Sequence, residues 1–159
     1  MWVDYGVATE HIDHYYYTSN EGSITITDNG TKVLNTTGNT TFVYLSPVPL
    51  DLTISGNNRY KWNAPLAIEF DITESSGTAN NETQVQVYSL TTSGNCDADI
   101  YSNDTGHWRI ELYDDNTQKI YLNGMLKKST SLTLTDARIG LRAKNSKYLI
   151  YKNFRVKSL

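Results

Sequence analysis

What this 159-residue sequence lacks narrows its role before any motif is read. It has one cysteine, Cys96, so no disulfide can form within the chain. Its three histidines, His11, His14 and His107, are scattered, and with one thiol they supply no zinc-ligand spacing. Charged residues make up only 19% of the chain, 14 Lys and Arg against 17 Asp and Glu, which leaves a net charge of -3. No basic field exists to hold a phosphate backbone, and nucleic acid is disfavoured as a partner. No apolar run approaches the roughly 20 residues of a membrane-spanning helix, so membrane insertion is not expected. Met1-Trp2-Val3-Asp4 has no basic stretch followed by an apolar one, so the sequence predicts no retained secretion signal. Lys, Glu and Ala are scarce while Thr, Asn, Ser and Tyr abound, a bias that disfavours helices and suits strands joined by polar loops. The length is that of a single domain, residues 1–159, able to bury a core without staples.

What is present is alternation of period two, the pattern of strands with one buried and one wet face. Trp108, Ile110 and Leu112 alternate with Arg109, Glu111 and Tyr113, and residues 114–118 form a turn. Ile120 and Leu122 resume the alternation. Asn123-Gly124 closes it, because Asn and Gly tolerate the positive φ of tight hairpin turns. Asn29-Gly30, between the alternating runs 23–27 and 32–34, is the clearest hairpin signal. Residues 41–45 and 50–55 read as strands on either side of Ser46-Pro47-Val48-Pro49, whose prolines mark a crossing or an edge. The best-patterned strand sets Leu66, Ile68, Phe70 and Ile72 against Ala67, Glu69, Asp71 and Thr73. Residues 83–90, 138–143 and 148–157 complete the set, and the polar stretch 91–106 holds a short strand at Ile100-Tyr101. About a dozen strands at hairpin spacing, with no helix between them, predict an all-β antiparallel sandwich.

The order of the last pieces resembles the end of the concanavalin A-like jelly-roll families, which include laminin-G-like domains, legume-type lectins and family-16 glycoside hydrolases. The resemblance is carried by a strand opening with an aromatic, Trp108, a strand ending at Asn123-Gly124, and the closing strand Asn153-Phe154-Arg155-Val156. It covers the last third of the chain well and the middle loosely. It implies a two-sheet antiparallel jelly-roll sandwich, a fold that hosts lectins and hydrolases alike.

Glu69-Phe70-Asp71-Ile72-Thr73-Glu74 is the sharpest chemical motif. Alternation puts Glu69 and Asp71 on one face, and a one-residue bulge at Ile72-Thr73 would bring Glu74 onto it. Carboxylates about 5 Å apart are the machinery of retaining glycoside hydrolysis. The spacing also resembles the active-site strand of the laminarinase type of family 16. That resemblance implies Glu69 as nucleophile, Asp71 as its electrostatic partner and Glu74 as acid/base. His107-Trp108 and Asn123-Gly124 fall where that family has a His-aromatic segment and an Asp-Gly hairpin. The departures are the shorter chain, the missing Trp-rich cleft and Asn123 in place of Asp. The plainer reading is a wet face whose acids are solvated or paired with Arg109 or Arg142, and no catalytic residue is favoured.

Recognition is the function the residues favour. Sugars present flat C–H patches that stack on Tyr and Trp, beside amides and acids that bond hydroxyls. Trp62 and Tyr60, with Asn63 in the same polar segment, and the run Tyr15, Tyr16, Tyr17 lie outside clean alternation and are the expected ligand-binding residues; Trp108 reads as core. Asp97, Asp99 and Asp104, with Asp114 and Asp115, are loop oxygens of the kind a structural calcium needs, though without the fixed spacing of a known calcium loop. His11 and His14, around Asp13, lack a third metal ligand. Asn29, Asn35, Asn39, Asn81 and Asn103 begin glycosylation sequons. The expectation is a non-catalytic carbohydrate-binding or adhesion module, extracellular, on a cell surface or on a virion. It would bind a glycan or cell-surface polysaccharide weakly per site and act as a homo-oligomer or within a larger parent protein. The alternatives are a family-16-like hydrolase and a structural virion or surface-layer sandwich.

Overall fold

A computed structural model describes residues 3–4, 15–17, 22–45, 61–89, 94–134 and 136–159. The expected strand at 50–55, Tyr60, His11, Asp13 and His14 lie outside the described residues. Among the described residues there are strands and no helix, hence none long and apolar enough to cross a membrane. The larger sheet runs, in spatial order, β12 (Met125–Thr130), β11 (Gln118–Leu122), β10 (Gly106–Leu112), β7 (Leu66–Ser75), β14 (Tyr148–Ser158), β4 (Gly30–Asn35) and β3 (Gly22–Thr27), with β1 (Val3–Asp4) paired to β14. The smaller runs β2 (Tyr15–Tyr17), β5 (Thr40–Leu45), β13 (Asp136–Lys144), β8 (Thr83–Ser89) and β9 (Asn95–Asp99), with β6 (Lys61–Asn63) paired to β13. Every pairing is antiparallel.

The core lies between the sheets and takes the inward-facing side chains of both. From the larger sheet come Trp108, Ile110 and Leu112 of β10, Leu66, Ile68, Phe70 and Ile72 of β7, and Leu149, Tyr151, Phe154 and Val156 of β14. From the smaller come Val43, Val85, Val87, Cys96, Ala98, Ile139 and Leu141. Phe70 is the centre of a ring stack, with its centroid 6.2 Å from Trp108 and 5.2 Å from Phe154 and interplanar angles of 6° and 13°. Tyr151 meets Phe154 edge to face at 5.7 Å. The Trp108 indole N–H, buried with the ring, donates to the Asp104 carbonyl at 3.0 Å.

Two bulges interrupt the alternation along the β7–β14 pair. Opposite β14, Glu74 pairs with Ile150 and Ile72 with Tyr151, so Thr73 is an extra residue and Glu74 turns outward with it, the bulge that the acidic motif needs to bring Glu74 onto that face. In β14 the register moves from Lys152↔Asp71 to Arg155↔Glu69, which gives that strand one residue more than its partner. Asn153 takes a left-handed φ of 54° there. With Tyr151 inward, strict alternation would bury Asn153 and expose Phe154; the extra residue reverses both, leaving Asn153 exposed and Phe154 fully buried.

The structure corrects the sequence reading in three places. The strand within 91–106 is β9, whereas Ile100 and Tyr101 lie after its end. The Ile100 carbonyl instead accepts from the hydroxyls of Ser75 and Thr83. Asn123-Gly124 does turn, at φ of 50° and 80°, but it leads into an unforeseen strand, β12, whose side chains are almost all exposed and so show no alternation. Lys61–Asn63, read as a polar loop, is β6.

Phe70→Ala is expected to lower unfolding stability by roughly 3–5 kcal/mol in denaturant titrations. Asn153→Val should cost roughly 1–3 kcal/mol while Asn153→Gly costs less, because a β-branched residue resists positive φ. Equal losses for the two Asn153 variants would count against the bulge argument.

Candidate functional site

Because apolar residues take the inner faces, the polar residues of both sheets are delivered to the outer faces, and these two surfaces differ in how completely their charges are matched. On the larger sheet, Glu69 and Asp71 project outward from β7, flanked by β10 and β14. Glu69 Oε2 accepts from Arg155 at 2.9 Å, while Oε1 is 3.2 Å from both Arg109 and His107 Nε2. Asp71 Oδ2 accepts from Asn153 at 2.7 Å and Oδ1 lies 2.8 Å from His107 Nδ1. Only the doubly protonated imidazolium donates from both ring nitrogens, so this geometry selects charged His107. Its backbone N–H donates to Asn123 Oδ1 at 2.9 Å, and the Asn123 N–H returns a bond to the His107 carbonyl at 2.7 Å. The Asn123-Gly124 hairpin therefore serves to seat His107. An open cleft of about 420 Å³ above it is lined by Glu69, His107, Arg109, Glu111, Tyr121 and Gly124.

The electrostatics of this face follow from those contacts. Burial pushes the Glu69 carboxyl up, but the bonds from His107 and Arg109 and the charges of Arg109 and Arg155 outweigh it and hold it below the usual range. Asp71 follows the same balance, with Asn153 and His107 prevailing over burial. The bond to Asp71 raises His107, opposed by burial and reinforced by Glu69. Glu74, the third acid of the motif, is exposed and bonded by the Tyr148 hydroxyl. Glu69 and Asp71 are held ionised, in a lattice that ties β7 to both neighbours.

The smaller sheet presents a different surface. Val85 and Val87 of β8, Ile139 and Leu141 of β13, and Cys96 and Ala98 of β9 face the core. Their neighbours Gln84, Gln86 and Tyr88, Arg138, Gly140 and Arg142, and Asn95, Asp97 and Asp99 therefore face outward. Register aligns them in rows across the sheet: Phe42, Arg142, Gln84, Asp99; then Tyr44, Gly140, Gln86, Asp97; then Arg138, Tyr88, Asn95. The floor amides are covered despite facing outward, Gln84 at 1% and Gln86 at 0% exposure. The Gln86 amide donates to Gln84 Oε1 at 2.7 Å and to the Tyr88 hydroxyl at 3.3 Å. Arg142 also donates to Gln84 Oε1, at 3.2 Å, and its guanidinium lies 5.5 Å from the Phe42 ring centroid. Gln84 in turn donates to Asp99 at 2.6 Å, and Arg138 lies over Tyr88. Within this network Gln86 Oε1, Asp97 Oδ1 and Arg142 Nε are buried and accept or donate no hydrogen bond. Such an atom costs roughly 1–3 kcal/mol until a partner arrives. Burial pushes the Asp97 carboxyl above its usual range, against the bond from Asn95.

The expected ligand-binding residues divide. Trp62, expected as an exposed ring, is 8% exposed and packs in the core, because Lys61–Asn63 pairs with β13 instead of looping free. Asn63 is exposed beside it. Tyr15–Tyr17 form β2 on the edge of the smaller sheet, and Tyr16 is in register with Tyr44. Asp97, Asp99 and Asp104 do not converge: among the described residues no group of three His, Cys, Asp or Glu could hold a metal ion. Asp104 instead accepts from the Tyr101 N–H at 3.1 Å and pairs with Lys127 at 3.2 Å. Arg109 does pair with Glu69, whereas Arg142 belongs to the other sheet. Gln84, Gln86, Tyr88 and Arg138 were missed as site residues. The signal for them was present, glutamines on the wet positions of β8 and a glycine midway between two arginines on β13.

No protein-family model and no curated protein matches this chain. Solved structures do. The carbohydrate-binding module CBM66 from Bacillus subtilis superposes with a TM-score of 0.60 at 14% identity, over 91% of this chain and 96% of that one. A Parabacteroides distasonis protein described only provisionally as a glycosyl hydrolase gives 0.62 at 13% identity, over the whole of both chains. A Bacillus subtilis protein of unknown function with a galectin-like fold gives 0.61 at 8% identity, over 98% of this chain and 97% of that one. At these identities the likeness establishes the fold alone, an all-β antiparallel jelly-roll sandwich.

The ion-pair lattice of the larger sheet has a pH signature. His107, raised in the folded state, stabilises fully below its unfolded value near 6.5 and loses that contribution as pH rises through the folded value. Glu69 and Asp71, lowered, stabilise above their ordinary values of 4.5 and 3.8 and lose it as pH falls through the folded ones. The lattice is therefore strongest between about pH 4.5 and 6.5. Since the His107 side chain is 46% exposed, the change from pH 6 to 8 should be only a few tenths of a kcal/mol. Urea midpoints of wild type and His107→Gln at the two pH values should converge at the higher one. A constant gap would mean that the charge of His107 does not contribute.

Proposed function

We propose that this chain is a non-catalytic carbohydrate-binding module, a single unit over residues 1–159, whose ligand lies across the outer face of the smaller sheet. One observation carries the reading: Gln86 Oε1, Asp97 Oδ1 and Arg142 Nε are buried and unpartnered on the same face, beside the Tyr88 ring. A sugar answers all of these at once. Its hydroxyls donate to Gln86 and Asp97 and accept from Arg142, while its C–H patches rest on rings. An apolar ligand would leave the three atoms unpaired. Tyr16 stands in register with Tyr44, Gly140 and Gln86, so we include β2 in the binding surface. The name of CBM66, which matches over most of both chains, supports the same reading.

The module acts outside the cell, in a secreted protein or on a cell or virion surface, as one of several copies or as part of a larger parent. The sequons fit that setting, since Asn29, Asn39, Asn81 and Asn103 are exposed. Asn35 is 1% exposed, donates to Thr41 and accepts from the Ser146 N–H, so it takes no glycan once the chain is folded.

The test is a glycan array run beside a reducing-sugar release assay on one preparation. Binding without release is expected, weakened about tenfold or more in Tyr88→Ala and Asp97→Asn and unchanged in Glu69→Gln. Sugar release abolished by Glu69→Gln would make the protein a hydrolase instead. Undiminished binding in both smaller-sheet variants would move the site elsewhere.

A further inference from the structure

We infer that the glycan held by the smaller sheet is acidic, carrying carboxylate or sulfate groups; this rests on the carbohydrate-binding reading and narrows it. The central strand β13 directs Arg138, Gly140, Arg142 and Lys144 outward, three cations around one glycine. The residues opposite Arg138, Gly140 and Arg142 on β8, namely Gln84, Gln86 and Tyr88, and Phe42 on β5 carry no charge, while Glu82, just before β8, stands beside Lys144 and accepts from its backbone N–H. Asp97 and Asp99 stand two strands away on the edge strand β9, roughly 10 Å by strand spacing.

Among the described residues, four cations elsewhere are paired with carboxylates. Arg109 pairs with Glu69 and Glu111, Arg155 with Glu69, His107 with Asp71 and Lys127 with Asp104. Among the described residues no carboxylate pairs with Arg142 or Lys144, and Arg142 has a buried Nε with no acceptor. A buried guanidinium N–H needs an acceptor, and a carboxylate or sulfate offers two oxygens to the planar fork. Arg142 is already held in place by Gln84 and the Phe42 ring, so little freedom is lost on binding. Gly140 adds no side chain between the two arginines, whose Cα atoms are four residues and hence about 13 Å apart along the strand. That span suits a polymer bearing a charge on successive or alternate sugars. Asp97 and Asp99 repel anions at the far edge and so orient the chain, with charged groups over β13 and hydroxyls toward β9. A net charge of -3 makes this a local preference and not a general affinity for polyanions.

Isothermal titration with polygalacturonate, a sulfated galactan and an uncharged galactan, at about 20 and about 200 mM NaCl, tests the inference. Binding to an acidic polymer is expected, weakening with salt, falling about tenfold or more in Arg142→Gln, less in Arg142→Lys, and unchanged in Lys152→Gln on the opposite sheet. Preference for polygalacturonate assigns the carboxylate, and preference for the sulfated galactan assigns the sulfate. Should Arg142→Gln fail to fold, Lys144→Gln and the salt response of the wild type decide. Equally tight binding of the uncharged galactan, indifferent to salt and to these variants, overturns the acidic class and leaves the carbohydrate reading standing. Binding to none of the three, nor to any glycan on the array, removes both.

Discussion

A strand sends successive side chains to opposite faces, and the ring stack of Phe70, Trp108 and Phe154 is the contact that fixes which face each strand must bury. Large apolar rings on three adjacent strands cannot all reach the core unless the register holds to the residue. The β14 bulge is the adjustment that permits it, turning Asn153 out and Phe154 in. The bulged residue is not idle, for Asn153 bonds Asp71 and joins the polar lattice outside. Core packing and surface chemistry are thus set by the same backbone irregularity.

That constraint makes each outer face a by-product of core order, yet the two faces end in opposite electrostatic states. On the larger sheet Glu69 and Asp71 have their carboxylate oxygens engaged by arginine, histidine or asparagine. A surface whose charges are internally satisfied has little left to offer a ligand and much to lose by being broken. On the smaller sheet the amides are covered but the network is incomplete at Gln86, Asp97 and Arg142. Incomplete polar networks are costly in a folded chain, and sites that await a ligand are where such a cost is expected.

Much of this fold was legible because alternation is read directly from residue type. β7, β10 and the β3–β4 hairpin all follow from patterns visible in the chain. β12 was not legible, since Met125–Thr130 is an edge strand with exposed side chains and its pairing with β11 is a backbone matter. Nor was the fate of Trp62, because its burial depends on a three-residue pairing with β13. The candidate site was harder still. Glu69 and Asp71 attracted attention because acids two residues apart are conspicuous, but what they do is decided by Arg155, 86 positions away, and by Asn153, 82 positions from Asp71. Gln84 and Gln86 look like ordinary wet-face residues, and only the register that sets them beside Arg142 and Gly140 makes them a floor.

The character of that floor bears on specificity more than on affinity. Each of its polar side chains is tied to a neighbour: Gln86 to Gln84 and Tyr88, Gln84 to Asp99, Arg142 to Gln84. On the proposed reading, a ligand would meet acceptors and a donor at fixed positions and would not have to order them. A sugar whose hydroxyls coincide with those positions completes the network. One that lacks a hydroxyl there leaves a buried atom unpaired, and this penalty discriminates more sharply than any gain or loss of apolar contact. The neutralised lattice across the sandwich complements this by bracing β7 between β10 and β14. It holds one sheet firm, while on the other the hydrogen bonds of Gln86, Asp97 and Arg142 stay unmet.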